Sequence, residues 1–266
     1  MGVTEETEIL KSARTLLEKL FVEAKMPESH GLQHCLTVLG HMDRAIDKAE
    51  DSIKHLLTHE RMICLKLAAF LHEADDHKYF PSNSKFENAR AICQQSISDD
   101  EPKKEEMISE IVMMISLVSA SVNGNSVPDQ ARTNPTLLWP RYCDRLESIG
   151  VIGAVRCYQY NSEKGDPLML DTTPRPKTEE EVWQHVAEER WSKYQSGGGS
   201  SASMMDHYYD KLLHVAKLDP EVVRSDYLVS ESKQRVKPLV DICIESGVSG
   251  EAPVKTIQGY ENNLTA

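Results

Sequence analysis

Helical spacing of the apolar residues is the feature that most limits what this chain can fold into. Between Leu32 and Ile46 the apolar side chains recur every three or four residues, which places them on one face of an α-helix. The segment Arg61–Glu73 is apolar on nearly every side, as in a buried helix. Four further helical segments are predicted, over residues 107–118, 138–152, 208–216 and 222–244, with a bend expected near Pro238.

Strand signals are weak along the whole chain. No long alternation of apolar and polar residues is bounded by turn residues, so β-strands are not predicted. Turn-rich or flexible loops are predicted at 123–135, 161–177 and 196–203. The chain is therefore predicted to be all-α. We expect a single-domain helical bundle with long loops over residues 1–246, followed by a loosely held C-terminal tail over 247–266.

Charge and cysteine usage limit the partners of the protein. A formal net charge of -12 argues against a partner that is a nucleic acid polymer or an anionic membrane. No apolar stretch is long enough to span a bilayer, and the first residues lack the pattern of a signal peptide. The six cysteines are scattered without a CxxC pair, which predicts reduced core thiols in a cytoplasmic protein. No pattern in the sequence indicates the oligomeric state.

Ionisable residues gather where the buried helix ends, in the stretch LAAFLHEADDHKYF. His72 and Glu73 close this helix, and His34 lies in the first turns of another, for which Ser29 is the predicted N-cap. Asp144 is an acid inside an amphipathic helix, where an unpaired charge would be costly. Two imidazoles and two carboxylates suit a divalent cation. From these residues alone, a metal site and a set of paired structural groups both remain open.

The order of these residues resembles that of the HD-domain metal-dependent phosphohydrolases, over most of the chain. In that superfamily a histidine, a His-Asp doublet and a distant aspartate lie on separate helices. His34 matches the first histidine, His72 the histidine of the doublet, and Asp144 the distant aspartate. The surrounding CDRLESIGVIGAVR is similar to the DADRLDxxGxxGxxR of one branch of small hydrolases. The segment MDHYYDKLL, from Met205, is similar to the DHFYxKLL of the same branch.

This resemblance implies one divalent metal ion, Mn²⁺ or Mg²⁺ with Fe²⁺ as an alternative, held by His34, His72, Glu73 and Asp144. Superfamily members with two metals use extra histidines after the doublet. No histidine occurs between His77 and His185, so a single ion is expected.

The resemblance also implies a reaction, in which a metal-activated water attacks the phosphorus of a nucleotide or another small phosphorylated metabolite. Asp76 is the expected catalytic acid-base group, because ppGpp hydrolases of the superfamily carry an acidic residue at the corresponding position. A turn acid is the alternative interpretation of Asp76. The expected substrate-binding residues are His30, Lys78, Arg145 and Lys211, and surface salt bridges would also account for the three cations.

Glu73 departs from the superfamily, which has aspartate at this position. One alternative is therefore a catalytically weakened HD-fold protein that binds metal or nucleotide without efficient turnover. A second is an all-α scaffold whose polar clusters are structural. The loops carry no pattern that identifies the substrate.

Overall fold

A computed structural model describes residues 3–27 and 30–265. Helices joined by turns and loops make up the fold of this part of the chain. No β-strand occurs in these two ranges, which confirms the predicted all-α class. The α-helices are α1 (Val3–Ala24), α2 (Leu32–Asp47), α3 (Asp51–Lys54), α4 (His59–Leu71), α5 (Glu87–Ser96), α6 (Lys104–Ser116), α7 (Ala120–Asn123), α8 (Asp129–Thr133), α9 (Trp139–Glu147), α10 (Gly150–Lys164), α11 (Glu179–Gln184), α12 (Glu188–Ser196), α13 (Met204–His207), α14 (Leu213–Ala216), α15 (Pro220–Val223), α16 (Asp226–Ser249) and α17 (Val254–Thr265). A 3₁₀ turn at Pro135–Leu138 leads into α9, and a π-helical turn at Tyr208–Leu212 lies between α13 and α14.

Most of the predicted helical segments are present. Helices α2, α4 and α6 confirm the segments from Leu32, Arg61 and Met107. The segment predicted over 138–152 is instead two helices, α9 and α10. The chain is extended at Ile149, and Gly150 has a φ of 76°, a conformation that glycine adopts without steric cost.

The C-terminal tail differs from its prediction. Helix α16 continues through Pro238 to Ser249, and α17 packs against α10. Ile257, in the middle of α17, is fully buried. A short helix with few apolar residues carries a weak periodic signal, which is why the sequence suggested a loose tail.

Contacts between residues group the chain into two compact units. Neither unit has a boundary at residue 246, where the bundle was predicted to end and the tail to begin. The first unit comprises Met1–Ser119, Val127–Asp144 and Pro220–Leu228, and the second comprises Ala120–Ser126, Arg145–Asp219 and Val229–Ala266.

Helix α4 forms the centre of the first unit. It packs against both α2 and α6, while α1 packs against α5. Its apolar side chains point in all directions, and Leu67 and Leu71 are fully buried. Thr58 caps its start, since the hydroxyl of Thr58 accepts a hydrogen bond from the backbone N–H of Arg61 at 3.3 Å. The helix ends at Leu71, directly before the ionisable residues.

The second unit contains the segment MDHYYDKLL, and a buried carboxylate organises it. Asp206 accepts hydrogen bonds from Arg190 (2.8 Å), Thr173 (2.8 Å) and Ser203 (2.6 Å). Arg190 also donates to Asp210 at 2.7 Å. These contacts join α12 to the π-helical turn, so the acids of this segment have structural partners within their own unit.

The cysteines and the helices agree with the predicted absence of disulfides and membrane spans. All six cysteines are buried and none is in a disulfide. Among the described helices, none has both the length and the apolar character that crossing a bilayer requires.

Truncating the buried centre of α4 should strongly destabilise the protein. Leu67→Ala removes a fully buried side chain of α4 and leaves a cavity, so the free energy of unfolding should fall by about 2–5 kcal/mol in urea denaturation. Val22→Ala, at an exposed aliphatic residue of α1, is the matched control and should change little. Equal effects of the two substitutions would contradict the central position of α4.

Candidate metal centre

Four potential metal ligands converge in the first unit. His34 lies in the first turn of α2, His72 and Glu73 directly follow α4, and Asp144 lies in α9. One ligand atom from each of the four residues lies within 4.8 Å of the corresponding atoms of the other three. The structure thus brings together all four residues that the sequence analysis predicted as metal ligands.

The distances between these donor atoms fit a single ion. The Nε2 atoms of His34 and His72 are 3.1 Å apart. The Nε2 of His34 lies 3.6 Å from Glu73 Oε1 and 3.4 Å from Asp144 Oδ1, and the Nε2 of His72 lies 3.5 Å from each. Ligands about 2.0–2.2 Å from one ion, at tetrahedral or octahedral angles, are about 3.0–3.5 Å apart. The donor set therefore has the dimensions of a coordination shell.

Local structure explains how each donor reaches the cluster. Helix α2 begins after Gly31, which has an extended backbone, and this start places His34 in the first turn. The N-cap predicted at Ser29 lies outside the described residues. Helix α9 is anchored near its start, because the indole of Trp139 donates to the carbonyl of Val223 at 2.9 Å. The guanidinium of Arg141 also donates to the carbonyl of Leu117, at 2.6 Å, which fixes the turn that precedes Asp144.

The orientation of His72 suits a ligand. Its Nδ1–H donates to the carbonyl of Ala69 at 2.8 Å, and in the neutral imidazole this bond leaves the lone pair of Nε2 facing the other donors. The side chains of His34, His72 and Glu73 are 7%, 3% and 10% exposed, whereas that of Asp144 is 27% exposed. The cluster is thus enclosed on most sides and open to solvent near Asp144.

Electrostatics show that the cluster favours a positive charge. Burial opposes a charge on His72, yet hydrogen bonds with Asp144 and Glu73 raise its pKa to about 10. Burial also opposes the ionisation of Asp144, but hydrogen bonds from His34 and His72 hold the pKa of this carboxyl well below its usual value. The pKa of Glu73 is lowered despite its burial, because His72 lies beside it. Two ionised carboxylates therefore surround a position that attracts a cation.

A second group of donors lies next to the first. One ligand atom each from His30, Glu73 and Asp76 lies within 4.8 Å of the other two. The carboxylate of Asp76 accepts the backbone N–H of Lys78 at 2.7 Å. Burial, followed by the nearby charge of Glu73, raises the pKa of Asp76. The structure thus places both His30 and Asp76 beside the predicted metal ligands.

The three predicted cations differ in their surroundings. Lys78 is exposed and follows Asp76 by two residues. Arg145 and Lys211 belong to the second unit. Arg145 is buried and donates to the side chain of Asn125 at 2.9 Å and to the carbonyl of Gly124 at 2.6 Å. These partners are neutral oxygens of the loop after α7, so Arg145 braces this loop.

Asp75 is an important residue that sequence reasoning missed. Its buried carboxylate accepts three hydrogen bonds, from the side chain of Asn83 (2.7 Å) and from the backbone N–H groups of Asn88 (3.0 Å) and Ala89 (2.8 Å). The last two belong to the first turn of α5, where a negative charge is favourable. Asp75 therefore ties the loop after α4 to α5, a role that no local pattern distinguishes from that of Asp76.

A viral relative decides which family this chain represents. No established protein-family profile matches the sequence. A protein of Acanthamoeba polyphaga mimivirus, described as "Uncharacterized protein L803", is 32% identical in an alignment over 244 residues that covers 88% of this chain and 95% of the viral protein. The chain belongs to the family of this mimivirus protein. The description of the relative names no activity, so membership of the mimivirus family leaves the reaction open.

A solved bacterial structure has a fold similar to that of this chain. The crystal structure of a structural-genomics protein from Lactobacillus plantarum aligns with a TM-score of 0.57, covering 93% of this chain and 97% of the bacterial chain. The two sequences are 17% identical, so the likeness concerns the fold alone.

Removing the charge of Asp75 should destabilise the protein. Asp75→Asn leaves one of the three N–H donors without a good acceptor and removes the negative charge at the start of α5, so the free energy of unfolding should fall by about 1–3 kcal/mol. The measurement is urea denaturation followed by circular dichroism. Asp100→Asn, at an exposed aspartate, is the control. An effect of Asp75→Asn no larger than that of the control would argue against this bracing role.

Proposed function

We propose that the chain is a metal-dependent phosphohydrolase of the HD-domain type, acting on a nucleotide or another small phosphorylated metabolite. The convergence of His34, His72, Glu73 and Asp144 at donor distances of 3.1–3.6 Å carries this proposal. These residues occur in the chain order of the HD-domain ligands. The partial opening at Asp144 supports access of a small substrate to the cluster.

The donor set supports a hard or borderline divalent cation. Two imidazole nitrogens and two carboxylate oxygens fit Mn²⁺ or Mg²⁺, with Fe²⁺ as the alternative. When bound, such an ion lowers the pKa of a coordinated water and polarises a phosphoryl oxygen. The two carboxylates supply the negative charge that balances the ion, and the hydrogen bond of His72 to Ala69 holds its ring in place.

The chain's own residues supply the proton transfer and the phosphate contacts. A water oxygen bonds to phosphorus while the bond between phosphorus and the leaving oxygen breaks, and the electron pair goes to that oxygen. Asp76 takes the proton that the water loses, and this proton passes to the leaving group. His30 lies beside Glu73 and Asp76 and can donate a hydrogen bond to a phosphoryl oxygen, and Lys78 supplies positive charge near Asp76. The roles assigned to Arg145 and Lys211 in substrate binding stay predictions.

The position of Glu73 favours an active hydrolase over a weakened protein that only binds metal or nucleotide. Its Oε1 lies 3.6 and 3.5 Å from the two histidine nitrogens, and the corresponding distances of Asp144 are 3.4 and 3.5 Å. The longer glutamate side chain therefore reaches the cluster as closely as the aspartate does. The binding protein remains the second candidate, because a glutamate occupies a position where the resembling hydrolases have aspartate.

The proposed setting is the cytoplasm. Six buried thiols without a disulfide support a reducing compartment. The net charge of -12 supports a small substrate held by a metal over a nucleic acid polymer or an anionic membrane.

Divalent metal should stabilise the protein through this cluster. A ligand at 100 times its dissociation constant stabilises a native state by about 2.7 kcal/mol, so saturating Mn²⁺ should raise the Tm by several degrees in a thermal shift assay. Asp144→Asn should abolish the Mn²⁺ shift, whereas Asp100→Asn should retain it. An absence of any Mn²⁺ shift in the wild-type protein would favour a structural cluster.

Hydrolysis of phosphorylated metabolites should depend on the same residues. In a screen of nucleotides and sugar phosphates with Mn²⁺, Mg²⁺ or Fe²⁺, we expect phosphate release that is lost in Asp144→Asn, because the variant lacks the charge that holds the ion. Glu73→Asp separates the two candidate functions. An inactive wild-type protein whose Glu73→Asp variant hydrolyses substrate would establish the weakened binding protein.

A further inference from the structure

A second set of metal-type donors lies directly beside the four-donor cluster of His34, His72, Glu73 and Asp144. The function proposed above assigns no ion to this second set. We propose that a second divalent cation binds between His30, Glu73 and Asp76, with the carboxylate of Glu73 shared by the two ions. This inference rests on the proposed function, since the first ion is its neighbour.

The geometry of the three residues supports a binding site. Their ligand atoms, one imidazole nitrogen and two carboxylate oxygens, lie within 4.8 Å of one another. These atom types are the same as those of the four-donor cluster, so both positions suit the same class of ion. Three protein ligands leave several coordination positions of a hard divalent cation for water or a phosphoryl oxygen.

Glu73 is common to both sets, and its chemistry allows it to serve both. A carboxylate has two oxygens and about four lone-pair positions, so it can bind two cations at once. Oε1 of Glu73 lies near the nitrogens of His34 and His72. The carboxylate has Oε2 as a further ligand atom. Paired metals in hydrolases lie about 3.5–4 Å apart, a separation that a bridging carboxylate spans.

Backbone contacts hold the other two donors near Glu73. The N–H of Asp76 donates to the carbonyl of Glu73 at 3.2 Å, which places both residues in one turn. The N–H of His30 donates to the carbonyl of Pro27 at 3.0 Å, and the rings of His30 and His34 are 6.4 Å apart. The start of α2, together with the turn before it, and the turn after α4 therefore each present donors to both positions.

Repulsion among the acidic donors also favours the binding of cations in this region. Glu73, Asp76 and Asp144 bring three carboxylates to one small region, and like charges at these separations repel one another. Divalent cations at the two positions relieve this repulsion. Exposed Lys78 adds one positive charge near Asp76, less than a divalent ion supplies.

A second ion would change the role of Asp76. The carboxylate would hold that ion instead of acting as a free base, and the two ions would together orient the water and the phosphoryl group. The additional ligands would then come from His30, before the doublet, and from Asp76, four residues after His72.

The number of bound ions tests this inference. Protein equilibrated with excess Mn²⁺ and then dialysed against dilute Mn²⁺ is analysed for metal per chain by mass spectrometry of the elements. We expect two ions in the wild type and one in both His30→Ala and Asp76→Asn. His77→Ala is the matched control, because this exposed histidine next to Asp76 belongs to neither donor set, and it should retain two ions. Circular dichroism confirms folding, and His30→Gln replaces a variant that does not fold.

The outcomes separate this inference from the proposed function. One ion in the wild type would overturn the second site and leave the proposed function standing, and no ion would overturn both. If both His30→Ala and Asp76→Asn still bind two ions, the second site would also be overturned. The wild type provides an independent readout, since electron paramagnetic resonance should show two magnetically coupled Mn²⁺ ions. If the chain binds two ions but the spectrum shows only uncoupled Mn²⁺, the shared carboxylate would be contradicted.

Discussion

Two carboxylates in a largely enclosed site, facing two imidazoles, are the constraint on which the first unit depends. Glu73 and Asp144 lie 3.4–3.6 Å from the nitrogens of His34 and His72, and the cluster is open to water mainly beside Asp144. Enclosed carboxylates are costly unless positive charge and hydrogen bonds compensate them. A proton on His72 or a divalent cation among the four donors supplies that charge. The need for compensating positive charge makes the cluster costly, and the same need makes it selective for a cation.

The apolar core makes this arrangement possible. Three separate segments, at the start of α2, after α4 and in α9, must meet within a few ångströms. No residue of α4 is exposed, so packing holds the end of the helix in place against the repulsion between the acids. Hydrogen bonds of Asp75 fix the loop that follows, and those of Trp139 fix the approach of Asp144. Hydrophobic burial thus supports the polar cluster, as in other sites where binding groups are held before the ligand arrives.

Some of the structure follows from local patterns, and the sequence predicted those parts. The helices that begin near Leu32, Arg61 and Met107 have regular apolar spacing, so their positions were predicted closely. The sequence identified four metal-type residues because each lies at the end of a strongly apolar helix or interrupts an apolar helix face. These residues are His34, His72, Glu73 and Asp144. Helix α17 was missed because few of its residues are apolar, and it packs on α10, a distant part of the chain. The partners of Arg145 were missed because neutral loop oxygens have no recognisable pattern.

The sequence by itself determined the all-α class, the central buried helix and the four residues that could bind a metal. Only the tertiary structure decided what each acid of the stretch HEADDH does. Asp75 braces α5, whereas Asp76 lies beside Glu73 and His30. These two aspartates are adjacent and chemically identical, so no local rule separates them. Their roles depend on groups that other segments bring within hydrogen-bonding distance, and long-range packing alone sets those distances.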